Sequence, residues 1–302
     1  MIEILKTILP VALMLFIGIL ARKSNMLSRE GVNAMKKVVV NITLPAVMLH
    51  AFASMTWTMQ NVIVTLLMFL VCLAALLLGK LFAGRLRFLP YLTTGFEAGM
   101  LGYALFTLAY GAENVSGFAT VDLGQVLFVF TVYKLLLGRE GSQKITGRQL
   151  VKEMLTSPVI IAIAAGVLLG ATGLYAAMVP SGAAGVLDAC TDFVSAPTSA
   201  IILITIGYDL ELSHIPWKTV ARAVVVRVLV MAGLRFAIGA LLRLTPVGDR
   251  LDPALNIMFI LPPPYVLPVF ADDEKERGFV SSSLSLMTVI TIAAFFILVA
   301  LR

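Results

Sequence analysis

Charge is scarce in this chain. Of its 302 residues 13% are charged and 60% are hydrophobic, where a soluble domain is nearer a quarter charged and half apolar. That shortage excludes a water-soluble globular interior and points to an integral membrane bundle. Cysteine is nearly absent as well. Cys72 and Cys190 both lie in apolar stretches with no metal-ligand spacing, which excludes a disulfide framework and a cysteine metal site. There is no H-E-x-x-H motif, no paired aspartate in a Gly-x-Gly-Asp setting and no serine elbow, so no intramembrane hydrolase motif is present. The expectation is a protein that is not an enzyme and carries no cofactor and no metal. The N-terminus, with Glu3 and Lys6, lacks a basic n-region and an A-x-A site, and its apolar stretch runs straight into Arg22-Lys23. It therefore predicts an uncleaved first helix rather than a signal peptide.

What is present is long apolar sequence. Stretches able to cross about 30 Å of hydrocarbon lie at 4–21, 38–55, 61–82, 91–110, 115–137, 155–175, 184–206, 219–243, 254–271 and 279–301. They predict an all-α fold of ten transmembrane helices. The net charge of +6 fits cytoplasmic loops rich in Lys and Arg better than a nucleic-acid partner. Arg22, Lys23, Arg29, Lys36 and Lys37 follow the first span. Lys80, Arg85 and Arg87 follow the third, Lys134 to Lys152 the fifth, Lys218 and Arg222 the seventh, and Lys275 and Arg277 the ninth. The opposite side holds Lys6, Arg243, Arg250 and Arg302. The bias puts both termini outside the cytoplasm.

Two spans are interrupted. Pro262-Pro263-Pro264 stands inside the ninth, and no helix crosses three prolines intact, because each removes a donor and clashes with the preceding turn. The fourth span carries Gly95, Gly99 and Gly102, together with Glu97. Interrupted spans in corresponding positions of two halves point to a transporter's binding site. The halves also share a pattern: Ile42-Thr43-Leu44-Pro45 in span two and Val194-Ser195-Ala196-Pro197 in span seven are both aliphatic, hydroxyl, aliphatic, proline. Five spans per half is odd, so the second copy is inverted. The organisation predicted is a first repeat at 1–138, a polar cytoplasmic linker at 139–153 and a second repeat at 154–302, with no soluble domain inserted.

Several pieces together resemble the auxin efflux carrier family, which includes bacterial organic-acid carriers such as malonate transporters. They are Asn41-Ile42-Thr43-Leu44-Pro45, Gly95-Phe96-Glu97-Ala98-Gly99-Met100-Leu101-Gly102, Asp122-Leu123-Gly124-Gln125, Ile206-Gly207-Tyr208 and the span broken at Pro262–Pro264. The resemblance covers about residues 1–300. It implies two inverted five-helix repeats, with spans four and nine unwinding and crossing at the membrane midplane. It also implies a scaffold set and a transport set that move against each other as in elevator carriers, and a homodimer through scaffold helices. The long central loop of plant members is missing, which resembles a bacterial, inner-membrane member. Where the family's fourth span reads Asn-Thr-Gly-Phe-Leu-Gly-Leu-Pro, with the Asn near the substrate carboxylate, this chain has Glu97 for the Asn and Ala104 for the Pro.

The residues then assign roles. Half-helix N-termini at a crossover favour an anion, so the expected substrate is a small organic anion bound around Glu97, Gly95, Gly99, Gly102, Asn41, Pro262, Pro263 and Pro264. An ionised Glu97 repels an anion and a neutral one does not; burial favours the neutral form, so Glu97 is expected to carry a coupled proton. Asp122 and Gln125, one turn apart, either bind a cation, steady the broken backbone or sit at a solvated entrance. Asn41 either donates to substrate or satisfies freed carbonyls. Asp188 and Asp192 repel at i, i+4, so one needs a basic or hydroxyl partner. Asp122, Gln125 and Asp192 join Glu97 as coupling candidates, and Asp192 is also a possible partner for Arg235, which otherwise snorkels or faces water. Arg227 is expected to snorkel, His50 to be packed and hydrogen-bonded, and Ser281, Ser282, Ser283 and Ser285 to line the site or bond back to their helix. The stretch from Asp272 to Arg277 is expected to be a solvated loop that caps span ten. Alternatives to the anion carrier are a sodium-coupled symporter resembling bile-acid carriers, a cation carrier using Glu97, and a membrane ligand sensor. A C-terminal alkaline phosphatase fusion tests the orientation: it should be enzymatically active, and an inactive fusion on stable protein would contradict the sidedness.

Overall fold

The structure, a computed structural model, describes residues 2–140, 146–210, 215–243 and 248–301, apart from the side chains of Glu3 and Asp249. Residues 141–145, including Lys144 of the expected linker, and Arg302 lie outside them. Among the described residues every regular element is helical. In chain order we name α1 (Ile2–Lys23), α2 (Arg29–Ala53), α3 (Met59–Ala83), α4 (Leu89–Thr93), α5 (Tyr103–Tyr110), α6 (Ala112–Glu140), α7 (Gly147–Thr156), α8 (Pro158–Ala171), α9 (Leu174–Met178), α10 (Ala183–Asp209), α11 (Trp217–Leu242), α12 (Gly248–Ile260) and α13 (Glu274–Ala300). Turns of π-helix interrupt α2 at Val39–Thr43 and α6 at Val129–Tyr133, and one precedes α5 at Ala98–Gly102.

Among the described residues seven helices are long and apolar enough to cross a membrane: α1, α2, α3, α6, α10, α11 and α13. The pair α7–α8 makes an eighth if its 67° bend lies within one span. These eight fall at eight of the ten expected positions and mark a membrane protein. The other two positions, 91–110 and 254–271, hold short pieces instead. At the first, Pro90 opens α4, Thr94 is extended, and Gly95 turns to φ +67°, a conformation L side chains rarely adopt. At the second, α12 stops at Ile260 and a short 3₁₀ turn, Leu267–Phe270, follows the prolines.

The chain divides into two compact units, and each draws on both halves of the sequence. Unit one holds Met1–Met59, Gly99–Ala119 and Lys152–Leu210; unit two holds Gln60–Ala98, Thr120–Val151 and Glu211–Arg302. Helices in hydrocarbon gain nothing from hydrophobic burial against each other, so they associate through small residues that let backbones approach. Unit one does this between α1 and α10. A Cβ on Gly18 would strike the Ile204 carbonyl and lie 2.8 Å from the Tyr208 nitrogen, and one on Gly207 would strike the Leu15 carbonyl. Gly166 of α8 does the same on α2, where a Cβ would lie 2.8 Å from the Leu49 oxygen. Asp209, at the end of α10, accepts from Arg29 at 2.7 Å and from Lys36.

In unit two, Gly124 of α6 fits against the Thr65 carbonyl of α3, and a Cβ on Gly79 would lie 2.9 Å from Pro90 Cα. Asp273 caps α13 by accepting from the Glu276 nitrogen at 2.7 Å. The expected capping is therefore present, although Glu274 to Arg277 already form the first helical turn. Arg87 bonds Asp272 at 2.9 Å and Glu276 at 2.8 Å. The α1–α10 contact predicts that Gly207→Leu destabilises the protein by about 1–3 kcal/mol, the usual cost of overpacking, seen as a lowered unfolding temperature in detergent. Gly185→Leu, where a side chain meets open space, should leave it unchanged.

Candidate functional site

Three consecutive prolines leave carbonyls that no helical N–H can reach, and hydrocarbon offers no substitute donor. Unit two supplies donors one by one. The Ile260 carbonyl accepts from Thr291 Oγ1 of α13. The Leu261 carbonyl accepts from Arg227 Nη2 at 2.7 Å. The Pro262 carbonyl accepts from the backbone nitrogen of Glu97 at 2.8 Å. The break after α4 is treated the same way. Leu92 and Gly95 carbonyls accept from Arg227 Nη1 and Nη2 at 3.0 and 2.9 Å. The Phe96 carbonyl accepts from Gln125 Nε2 at 3.2 Å, and the Tyr91 carbonyl from the Tyr133 hydroxyl at 3.2 Å.

The two breaks therefore touch. Glu97 bonds twice to the proline segment, through its own N–H to Pro262 and through Oε2, which accepts from the Tyr265 nitrogen at 2.6 Å. Gly95 is required twice over: its φ is +67°, and a Cβ there would meet Pro264 Cδ and Cγ at 3.0 Å. Pro262, Pro263 and Pro264 are buried, and Glu97 is half-buried. The Phe96 ring packs on Phe259 with centroids 5.4 Å apart and lies 5.8 Å from Arg227 Cζ. The Tyr265 hydroxyl pairs with Thr288 Oγ1 at 2.9 Å.

Arg227 corrects the sequence reading. It does not snorkel: it is 4% exposed and its guanidinium forks onto three backbone carbonyls, two on one break and one on the other. The signal was its face rather than its depth, because Val220, Ala223, Val230 and Met231 of α11 are buried with it at helical spacing. Arg235 is also corrected. Its partners are Asp252, at 2.8 Å, and Asn256 Oδ1, at 2.7 and 3.0 Å, on α12, and not Asp192. The i, i+4 placement of Asp252 and Asn256 could have indicated this.

Asp122 is 1% exposed and Gln125 is 6% exposed; neither is a solvated helix entrance. Gln125 steadies broken backbone through Phe96, one of the roles expected for the pair. Its Oε1 is buried without a hydrogen-bond partner among the described residues. Asn41, Gly99, Gly102, Asp188 and Asp192 belong to unit one, and the serines of α13 to unit two. Asn41 is exposed in the π turn of α2 and its amide donates to the Lys37 carbonyl at 2.8 Å, so it satisfies a backbone carbonyl. Gly99 and Gly102 lie in the π turn before α5, and a Cβ on Gly99 would be 3.3 Å from Leu44 Cδ2. Asp192 is exposed on α10. Asp188 has the partners its spacing demanded: the Tyr175 hydroxyl at 2.8 and 2.9 Å and His50 Nδ1 at 3.2 Å. Ser283 bonds back to the Phe279 carbonyl at 2.7 Å.

No protein-family model matches the chain, and comparison with curated proteins finds no match. The site's chemistry is thus read from its residues: a buried cation that bridges two breaks, a half-buried carboxylate on one break bonded to the other, and a buried carboxylate and amide on α6. Arg227→Met should leave three carbonyls without donors, at about 1–3 kcal/mol each, and so lower the unfolding temperature sharply. Arg227→Lys should recover only part of the loss, since an ammonium lacks the planar fork.

Proposed function

We propose that this chain is a secondary active carrier of small organic anions, carboxylates above all, and a bacterial member of the auxin efflux carrier family. In this reading ten spans form two inverted five-helix repeats, and the broken fourth and ninth spans form the crossover that binds substrate. The carrier works by elevator-type alternating access as a homodimer in the cytoplasmic membrane, with both termini on the non-cytoplasmic side. The observation that carries the proposal is the meeting of the two breaks at Glu97, bonded through its backbone to Pro262 and through its carboxylate to Tyr265. A carrier needs irregular backbone held open beside a cavity, and a purely structural span has no use for it. The composition of the units adds support. Spans three, eight and ten, the first part of four, most of five and all of nine fall in one unit, and spans one, two, six and seven in the other. An inverted repeat divided into transport and scaffold sets gives that division.

Charge then assigns the coupling. Arg227 remains cationic throughout the working pH range. Glu97 and Asp122 are two carboxylates on elements bonded to the same breaks, Glu97 through Tyr265 and the Asp122 helix through Gln125 and Tyr133. With both carboxylates ionised the cluster carries one net negative charge and repels an anion. One proton on Glu97 brings it to neutrality and lets its hydroxyl donate to a substrate carboxylate. Protein in liposomes should take up labelled mono- or dicarboxylate faster when the outside is more acidic than the inside, and Glu97→Gln should lose that response. A Glu97→Gln protein that keeps it removes the proton from Glu97; wild-type protein that takes up no carboxylate under any gradient defeats the carrier reading.

A sodium-coupled version is the second reading, favoured by Gln125. Its buried Oε1 without a hydrogen bond, one turn from the Asp122 carboxylate, is an oxygen of the kind a hard cation takes. Uptake driven by a sodium gradient at equal pH on both sides would select it.

A further inference from the structure

The helices α11, α12 and α13 of unit two enclose a cavity of about 300 Å³. Val224, Val228 and Met231 line it from α11, Phe259 from α12, and Met287 and Leu298 from α13. Val228 is 49% exposed and Ile290, also on its lining, 36%, so the cavity opens at the protein surface. α11 is one of the helices able to cross a membrane, and an apolar opening along such a helix is filled by hydrocarbon chains rather than by water.

One end of the cavity is polar. Arg235 and Asn256 line it there, and Arg235 holds Asp252 beside it at 2.8 Å. The Arg235 Nε and Nη2 donors are used on Asn256 and Asp252. Nη1 rests on the bare backbone of Gly239, 2.5 Å from where a Cβ would stand, and makes no hydrogen bond among the described residues. The pair is open to a ligand, with side chains 24% and 32% exposed. Its depth suits a headgroup. Arg235 lies seven residues before the end of α11 at Leu242, roughly 10 Å along the axis, within snorkelling reach of the interface. From Arg235 the lining runs inward to Val224, roughly 16 Å further, the direction an acyl chain takes. A guanidinium and a carboxylate side by side complement a head that itself carries both signs. A net anionic head would meet Asp252, and a quaternary amine could not donate to it.

We propose that this cavity binds one zwitterionic phospholipid with a primary amine headgroup. Its phosphate lies on Arg235, its ammonium on Asp252, and one acyl chain runs along Val228, Met231 and Phe259. The inner end of the cavity reaches Arg227, Ile260, Leu261 and Thr291 beside the proline break, but the lipid assignment rests on the Arg235–Asp252 end and does not depend on the substrate reading above. The test is native mass spectrometry of the purified protein offered equal amounts of phosphatidylethanolamine, phosphatidylcholine and phosphatidylglycerol with the same chains. The wild type should retain the ethanolamine lipid about tenfold over the others, the size of one charge-assisted hydrogen bond. Asp252→Asn should lose the preference over phosphatidylcholine, and Arg235→Leu, which removes the contact to the phosphate that all three lipids share, should lower retention of all three. Ala294→Leu, which fills the lining without touching the polar end, should lower retention of all three lipids while the unfolding temperature holds or rises. Equal retention of the three by the wild type, a preference for phosphatidylglycerol, an ethanolamine preference kept in Asp252→Asn, or lipid retention unchanged in Arg235→Leu or Ala294→Leu would overturn the proposal.

Discussion

A broken span inside hydrocarbon persists only if every carbonyl released by the break finds a donor, and in this protein that requirement converges on one side chain. Arg227 reaches Leu92 and Gly95 on one break and Leu261 on the other. A neutral donor could satisfy one or two carbonyls; the planar guanidinium satisfies three in a fork and brings a charge with it. Burying that charge is costly, and the carbonyl dipoles arranged round it offset part of the cost. The breaks and the arginine are therefore interdependent: without the breaks Arg227 has no acceptors, and without Arg227 the breaks have too few donors.

This interdependence shapes what the site can do. Glu97 is held by two bonds to the proline segment, so its carboxyl sits on a rigid support rather than on a loose loop, as a binding constellation needs. The fixed cation behind it means that a single proton on a carboxylate changes the sign balance of the cluster. Under the proposed function, the Glu97 carboxylate is then compatible with an anionic substrate, provided the proton and the anion arrive together.

Much of the fold was legible in the sequence, and what was missed has a physical pattern. Apolar length alone located eight membrane-capable positions, because hydrocarbon thickness sets element length. Pro262 to Pro264 and Gly95 identified the two broken positions, because proline and a positive φ act locally. The Asp273 cap and the hydroxyl partner of Asp188 were also within reach, since both follow from local spacing. Arg227 was misjudged because depth along a helix says nothing about which face a residue occupies, and its acceptors are more than 30 residues away in sequence or further. The pairing of Arg235 with Asp252 and Asn256, and the bond from the Tyr265 nitrogen to Glu97, depend on how distant segments meet. The i, i+4 spacing of Asp252 and Asn256 shows that they share a face, but neither composition nor periodicity names the partner that meets it.

The most direct test of a carrier, as opposed to a membrane protein that merely binds its ligand, is counterflow. Liposomes containing the purified protein are loaded with an unlabelled carboxylate and diluted into a trace of the same labelled acid. Alternating access predicts transient accumulation of label above its external concentration, lost when the internal acid is omitted. Saturable binding of the acid with no accumulation would contradict transport and leave a sensor in its place.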